Sequence, residues 1–433
     1  MLLTLSLLAF SSAAPDTTTL QRAVANGDAK AVKRLLKGSV PSTQEAADAL
    51  VSAAGGGRLE MVEVLLRGGV SPDAHGSRGH LTALILSSYS GEEKVVRRLL
   101  AAKAKPNELN DDHESALHTS AAAANADVLV PLLLAAKADW SLLDKFGRTP
   151  LLVHAQAGHL GAVTALLGAG ADPLVVDEDG QSALFLSAMK GHTAVVKRLL
   201  QQDRVVDRPN RFGATPLVAA AAGGFLETVQ LLAASGANLR ATTKEGQGAL
   251  GLAVEQNEVT VVAWLATRIP VNQPNHPVGP ALHVAAVFGH RALVPVLLEA
   301  GARTDVEAGH LTPLHIAVAK GHVDFVRDLL DAGADPNGGG TEGAPPLSLA
   351  ALMGEVPMVE LLLQKGAALN GRNPQGGTAL RAASAKGHID VVRLLLAKGA
   401  ESRSADSFGK RPVDYARENN HSEIVAMLDA AKR

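Results

Sequence analysis

Fifteen histidines stand in a chain of 433 residues that contains no cysteine. Histidine is the side chain best suited to hold a metal or move a proton near neutral pH. The closest approach to a metal motif is His113-Glu114-Ser115-Ala116-Leu117-His118. A zinc-binding helix needs its two histidines four residues apart, so that both imidazoles share one face. Here the step is five, and His113 falls in the turn before the helix starts, so no metal site is expected. There is no GxxxxGK followed by Ser or Thr, no GxSxG and no HExxH. The phosphate loop, the nucleophile elbow and the zinc-protease helix are therefore all missing. The lack of cysteine also excludes disulfides, thiolate metal sites and a thiol nucleophile. The expectation is a protein with no catalytic residues, no metal and no cofactor.

The histidines instead recur in step with something larger. Gly-His pairs stand at 158/159, 191/192, 289/290, 321/322 and 387/388. The leucines that open apolar segments show the same period: Leu20, Leu50, Leu84, Leu117, Leu151, Leu184, Leu217, Leu250, Leu282, Leu314, Leu347 and Leu380, with Val413 in the last unit. All these steps fall between 30 and 34 residues, so about 13 units fill the chain from Leu20 onward. A period in this range marks a stack of supersecondary units.

The clearest unit runs from Gly309 to Asn337. Thr312 is placed to cap a helix, Pro313 occupies the first helical position where its missing N–H costs nothing, and Gly321 can end the short helix. A second helix follows, with Phe325, Val326, Leu329 and Leu330 on one face and Gly333 as its left-handed stop. Helices this short are marginal alone, so each unit must bury its face against the next. The expected class is an all-α solenoid of helix-turn-helix units.

This pattern resembles the ankyrin repeat. The likeness rests on Thr149-Pro150-Leu151, Thr215-Pro216-Leu217, Thr312-Pro313-Leu314-His315, the Gly-His pairs and the Leu-Leu and Gly-Ala closures, and it covers nearly the whole chain. It implies paired antiparallel helices, projecting β-hairpin fingers and a concave groove lined by fingers and first helices. It also makes the Gly-His histidines, with His118, His283 and His315, structural groups that bond neighbouring units.

The same resemblance locates partner contacts at the finger tips and just before the Gly that ends each first helix. On the fingers these are Phe146 and Arg148 beside Gly147, and Phe212 beside Gly213, with Phe408 in a matching place. On the helices they are Tyr89, Gln156, Met189, Lys190, Glu255, Phe288, Lys320, Leu352, Met353 and Lys386. In a chain with only 3% aromatic residues, five aromatics at such positions suggest interface anchors. One patch is expected around Phe146, Arg148, Met189 and Phe212, and a second around Phe288, Leu352 and Met353. The alternative is that each finger Phe folds back on its own hairpin. Trp140 is assigned to packing.

Departures from the period mark weak points. The 30-residue first step suggests a shortened turn at 39 to 43, and Gly338-Gly339-Gly340 a flexible spot. Four prolines between Pro270 and Pro280 disfavour both hairpin and helix. They suggest a seam at 270–280, dividing repeats 1 to 8 (19–270) from repeats 9 to 13 (271–433). Residues 1–18 are either a signal peptide or an apolar capping segment. Met1 to Pro15 carries an apolar run followed by small residues, too short to span a bilayer. A cleaved leader at 1–14 would place the protein in the periplasm or outside the cell; otherwise it is cytoplasmic.

The charge balance, 41 Lys plus Arg against 43 Asp plus Glu, lacks the basic excess that gripping nucleic acid demands. Basic pairs such as Lys33-Arg34, Arg97-Arg98 and Lys197-Arg198 fall on second helices, among acidic residues, as a solvated outer face. The expected function is a non-catalytic scaffold: a monomer that binds another protein, with no nucleic acid and no membrane span. The alternatives are an exported effector or envelope protein using the same surface, and a small-ligand binder or enzyme.

Overall fold

The computed structural model describes residues 19–38, 43–202, 205–338 and 343–431. The leader or capping segment and most of the shortened turn expected at 39 to 43 lie outside these residues, as do Gly339 and Gly340. Among the described residues, twenty-six α-helices follow one another in thirteen pairs and there is no β-strand. Contacts group the chain into two compact units that divide after Arg211. The proline-rich segment at 270–280 lies inside the second.

Within each unit the pairs build two layers. First helices pack on first helices of neighbouring repeats, second helices pack on second helices, and each first helix packs on its own second helix. The repeat at Pro313–Ala319 and Val323–Asp331 shows why. Thr312 and His315 form a capping box, Pro313 opens the helix, and Phe325, Val326, Leu329 and Leu330 are buried. Elsewhere Thr149, Thr215 and Thr378 accept hydrogen bonds from backbone N–H groups of the first turn. First helices bury alanines such as Ala155, Ala188, Ala253 and Ala285, whose small side chains let neighbouring helices approach closely.

The loops ahead of the first helices are turns rather than β-hairpins. Pairing reduces to isolated bridges, Val176 to Ser182, Thr242 to Gly248 and Ala308 to Leu311, because each arm is too short to extend a ladder. The turns are nevertheless closed across their bases: the Asp144 N–H donates to the Arg148 carbonyl, and that of Asp406 to Lys410, each at 3.0 Å.

At the C-terminal end Arg417, Glu418, Asn419 and Asn420 are exposed, and Arg417 pairs with Asp429 at 2.8 Å. The outer helices are likewise solvated: Lys33, Arg34, Arg97 and Lys197 are exposed, and Arg97 pairs with Glu93 one turn away.

Candidate partner-binding site

The histidines prove to be joints. The His159 imidazole donates from Nε2 to the Ala121 carbonyl, and His192 to Gln156, both at 3.0 Å. In the second unit His290 reaches Glu255, His322 reaches Val287, His388 reaches Leu352 and His421 reaches Ala385, over 2.9 to 3.3 Å. Each satisfies a carbonyl near the C-terminal end of the preceding first helix, which has no partner within its own helix. Where that helix ends in glycine, as it does ahead of His192, His322, His388 and His421, the glycine makes the room. Gly354 sits at φ +80, and a Cβ there would lie 2.5 Å from the His388 ring; Gly158 stands in the same relation to His192. Sequence period alone could not show this, because the ring crosses to a glycine in a different repeat.

A second class of histidine is buried in the first helices. His154 donates from Nε2 to the Leu117 carbonyl at 3.0 Å while its Nδ1 meets no partner. Burial pushes its pKa from 6.5 down to about 3. His118 accepts the Ser115 N–H at Nδ1 and donates from Nε2 to the Arg148 carbonyl; burial lowers its pKa to about 4. Burial also lowers His283 and His315. All are neutral near neutral pH; His118, His154 and His283 brace neighbouring repeats, while His315 caps its own helix through Thr312. His113, the other half of the apparent zinc motif, sits in a turn at φ +57. Among the described residues no cluster of three potential metal ligands occurs.

The finger positions split into apolar tips and restrained charges. Phe146 is exposed, flanked by the Lys145 and Arg148 cations at 5.1 and 4.9 Å from its ring centroid. Arg148 is held, with Nε donating to Asp144 Oδ2 at 2.7 Å. Successive fingers alternate in charge and pair: Lys145 with Asp112 at 2.5 Å, Arg211 with Asp179 at 2.8 Å. Phe212 and Phe408 are exposed finger residues of the second unit.

The first-helix positions divide in the same way. Tyr89 packs half-buried against Val51, Leu81, Ile85 and Leu86, so most of it belongs to the core edge. Gln156 and Met189 are half-buried, and Lys190 is exposed. Glu255 is engaged by His276 at 3.0 Å. Phe288, Leu352 and Met353 are exposed, at 42%, 38% and 49%, although nearly every other apolar residue on these helices is buried. Lys320 and Lys386 are exposed. Of the expected patches, Phe146, Arg148 and Met189 fall within the first unit and Phe288, Leu352 and Met353 within the second; Phe212 opens the second unit.

A family model described as Ankyrin repeats (3 copies) matches the chain in overlapping segments that together run from 20 to 339 and from 347 to 431. The chain is an ankyrin-repeat protein. Ankyrin repeats are generally protein–protein interaction modules and are typically non-catalytic. No curated protein matches the chain significantly. No helix among the described residues of this ankyrin stack is long and apolar enough to cross a membrane.

Two features of the stack escaped the sequence reading. Polar residues in the closing loops bridge repeats: Asp73 accepts from the Lys105 N–H, Asn272 from that of Arg303 and Asn370 from that of Glu401, at 2.7 to 3.0 Å. Their Asp/Asn recurrence at the closure was the available signal. A hollow of about 540 Å³ is lined by His75, His80, Lys105 and Glu108, with the two imidazoles stacked 3.9 Å apart. Its residues belong to different repeats, and no spacing rule joins them.

Proposed function

We propose that the protein is a non-catalytic scaffold that captures another protein through the exposed ends of its first helices and its finger tips. The observation that supports this is the exposure of Phe288 and Met353, which stand at the same register two repeats apart, with Leu352 exposed beside Met353. The same helices bury Leu282 and Leu347 almost completely. Apolar side chains left outside at recurrent positions lower solubility unless something covers them. Phe146 and Phe212 provide further anchors of the kind that carry interface energy.

The test is affinity capture from native extract with full-length protein, comparing the natural sequence with Phe288→Glu combined with Met353→Glu. Circular dichroism should be unchanged, since neither side chain is in the core, and the captured partner should be lost. Equal recovery of the same partner by the variant would defeat the proposal.

A further inference from the structure

The residue just before each helix-ending Gly occupies one register, and in four successive repeats of the second unit it reads Phe288, Lys320, Met353, Lys386. All four are exposed. The Phe288 ring lies stacked on His290, with centroids 5.7 Å apart and planes 10° from parallel, which fixes the direction of its free face. Neither lysine ammonium has a hydrogen-bond or ion-pair partner among the described residues. The flanking acids are committed elsewhere, Glu255 to His276 at 3.0 Å and Glu418 to Lys410 at 2.7 Å. The one acidic residue within two positions of the four is Glu355. Apolar and cationic groups thus alternate along the row, with the cations unneutralised.

We propose that this row binds an extended protein segment in which apolar and acidic side chains alternate every third residue. This rests on the scaffold reading above and names the partner's chemistry. Helices in contact stand about 8 to 10 Å apart. A chain in the extended polyproline-II conformation advances about 3.1 Å per residue and brings every third side chain back to one face, which the period of two in a β-strand does not. One step of the row therefore matches three residues of a segment laid along it. The complementary pattern is apolar, two spacers, Asp or Glu, two spacers, apolar, two spacers, Asp or Glu. The carboxylates meet Lys320 and Lys386, and the apolar side chains cover Phe288 and Met353. Opposite charge fixes the register of such a segment and rejects basic ones.

The probe is a fluorescein-labelled peptide, Leu-Ser-Ser-Glu-Ser-Ser-Leu-Ser-Ser-Glu, and its reversed sequence, titrated against full-length protein at about 50 mM salt with anisotropy as the readout. The better of the two should bind at least about tenfold tighter than a shuffled peptide with its two Glu adjacent. Lys320→Glu with Lys386→Glu should abolish that preference and transfer it to the peptide carrying Lys in place of Glu. The row-specific reading is overturned if patterned and shuffled peptides bind alike, or if charge reversal leaves the preference intact. It is equally overturned if an oligothymidylate of the same length binds as tightly as the patterned peptide, since the row would then be a general polyanion site. Failure here leaves the capture experiment with Phe288→Glu and Met353→Glu to decide the scaffold reading. Capture lost in that variant but kept in the lysine double variant sinks the acidic-segment inference alone.

Discussion

The two compact units stiffen different parts of the same repeat. In the first, the fingers are chained together: Asp111 donates to the Gly79 carbonyl, Lys145 to Asp112, Glu178 to Phe146 and Arg211 to Asp179, over 2.8 to 3.2 Å. Ion pairs between oppositely charged fingers follow the same path. In the second unit this chain holds between Phe212 and Lys244 and again between Gln375 and Ser407. Between them the 270–280 segment uses side chains instead. Asn275 is buried and accepts from the Gly251 N–H, the Gly248 N–H donates to the Asn275 carbonyl, and His276 engages Glu255. What the second unit has in quantity is the imidazole joint. The difference teaches that one repeat can be held at its finger or at its helix end.

Acid should separate the units most strongly. His154 and His118, both in the first unit, titrate near 3 and near 4 when folded against an ordinary 6.5. The unfolded chain therefore takes up protons first, so their contribution is whole above about pH 6.5 and drains away as pH falls toward the folded values. Each costs about 1.4 kcal/mol per pH unit in that window, or about 4 kcal/mol for the pair by pH 5. Hydrogen exchange on the whole chain should show first-unit helices losing protection ahead of second-unit helices between pH 7 and 5. His154→Gln, which keeps a donor and removes the titration, should reduce the gap. Loss of protection in both units together would break the comparison.

The imidazole joint can be weighed inside the second unit. Gly354→Ala meets two penalties, a backbone at φ +80 and a Cβ 2.5 Å from His388, and should cost about 3 kcal/mol. Gly321→Ala meets only the first, because at φ +74 a Cβ there would find no atom within 4 Å, and should cost about 1 to 2 kcal/mol. Urea unfolding of the two variants compares them directly. Equal losses would mean that the ring over Gly354 contributes nothing.

Much of this was legible beforehand, for a physical reason. The period near 33 fixed the helix pairs, since every copy of Leu, Thr-Pro and Gly answers the same local demand for a core contact, a cap or a stop. Residues such as Leu314, Thr312 and Pro313 do in the structure what their types require. The exposure of Phe288 and Met353 was legible as well, from register. What could not be read was which side chain holds which, whether the partner lies near or far in the chain. Tyr89 looks like a free aromatic by register, yet packs on Val51 and Leu81. Arg148 looks like a free cation until Asp144 is seen to hold it. The break after Arg211 carries no composition signal, whereas the four prolines that draw the eye are stitched by Asn275 and His276.

The smallest effect concerns the joint that lacks its histidine. Gly354 and Gly387 each have the imidazole of the following repeat lying over them, His388 and His421 respectively, while the space over Gly321 is open. The residue that should fill it is Glu355, whose carboxylate cannot donate to the carbonyl that a histidine would reach. By analogy with His322 on Val287 and His388 on Leu352, that carbonyl belongs to Ala319. Glu355→His should supply the missing donor and gain about 1 kcal/mol, the net worth of one intramolecular hydrogen bond. Hydrogen exchange should slow in Pro313–Ala319 and Val356–Gln364 and stay unchanged in the first unit. A gain spread over both units would point to a general charge effect, whereas no gain at all would mean that the joint is already held by the packing of its leucines.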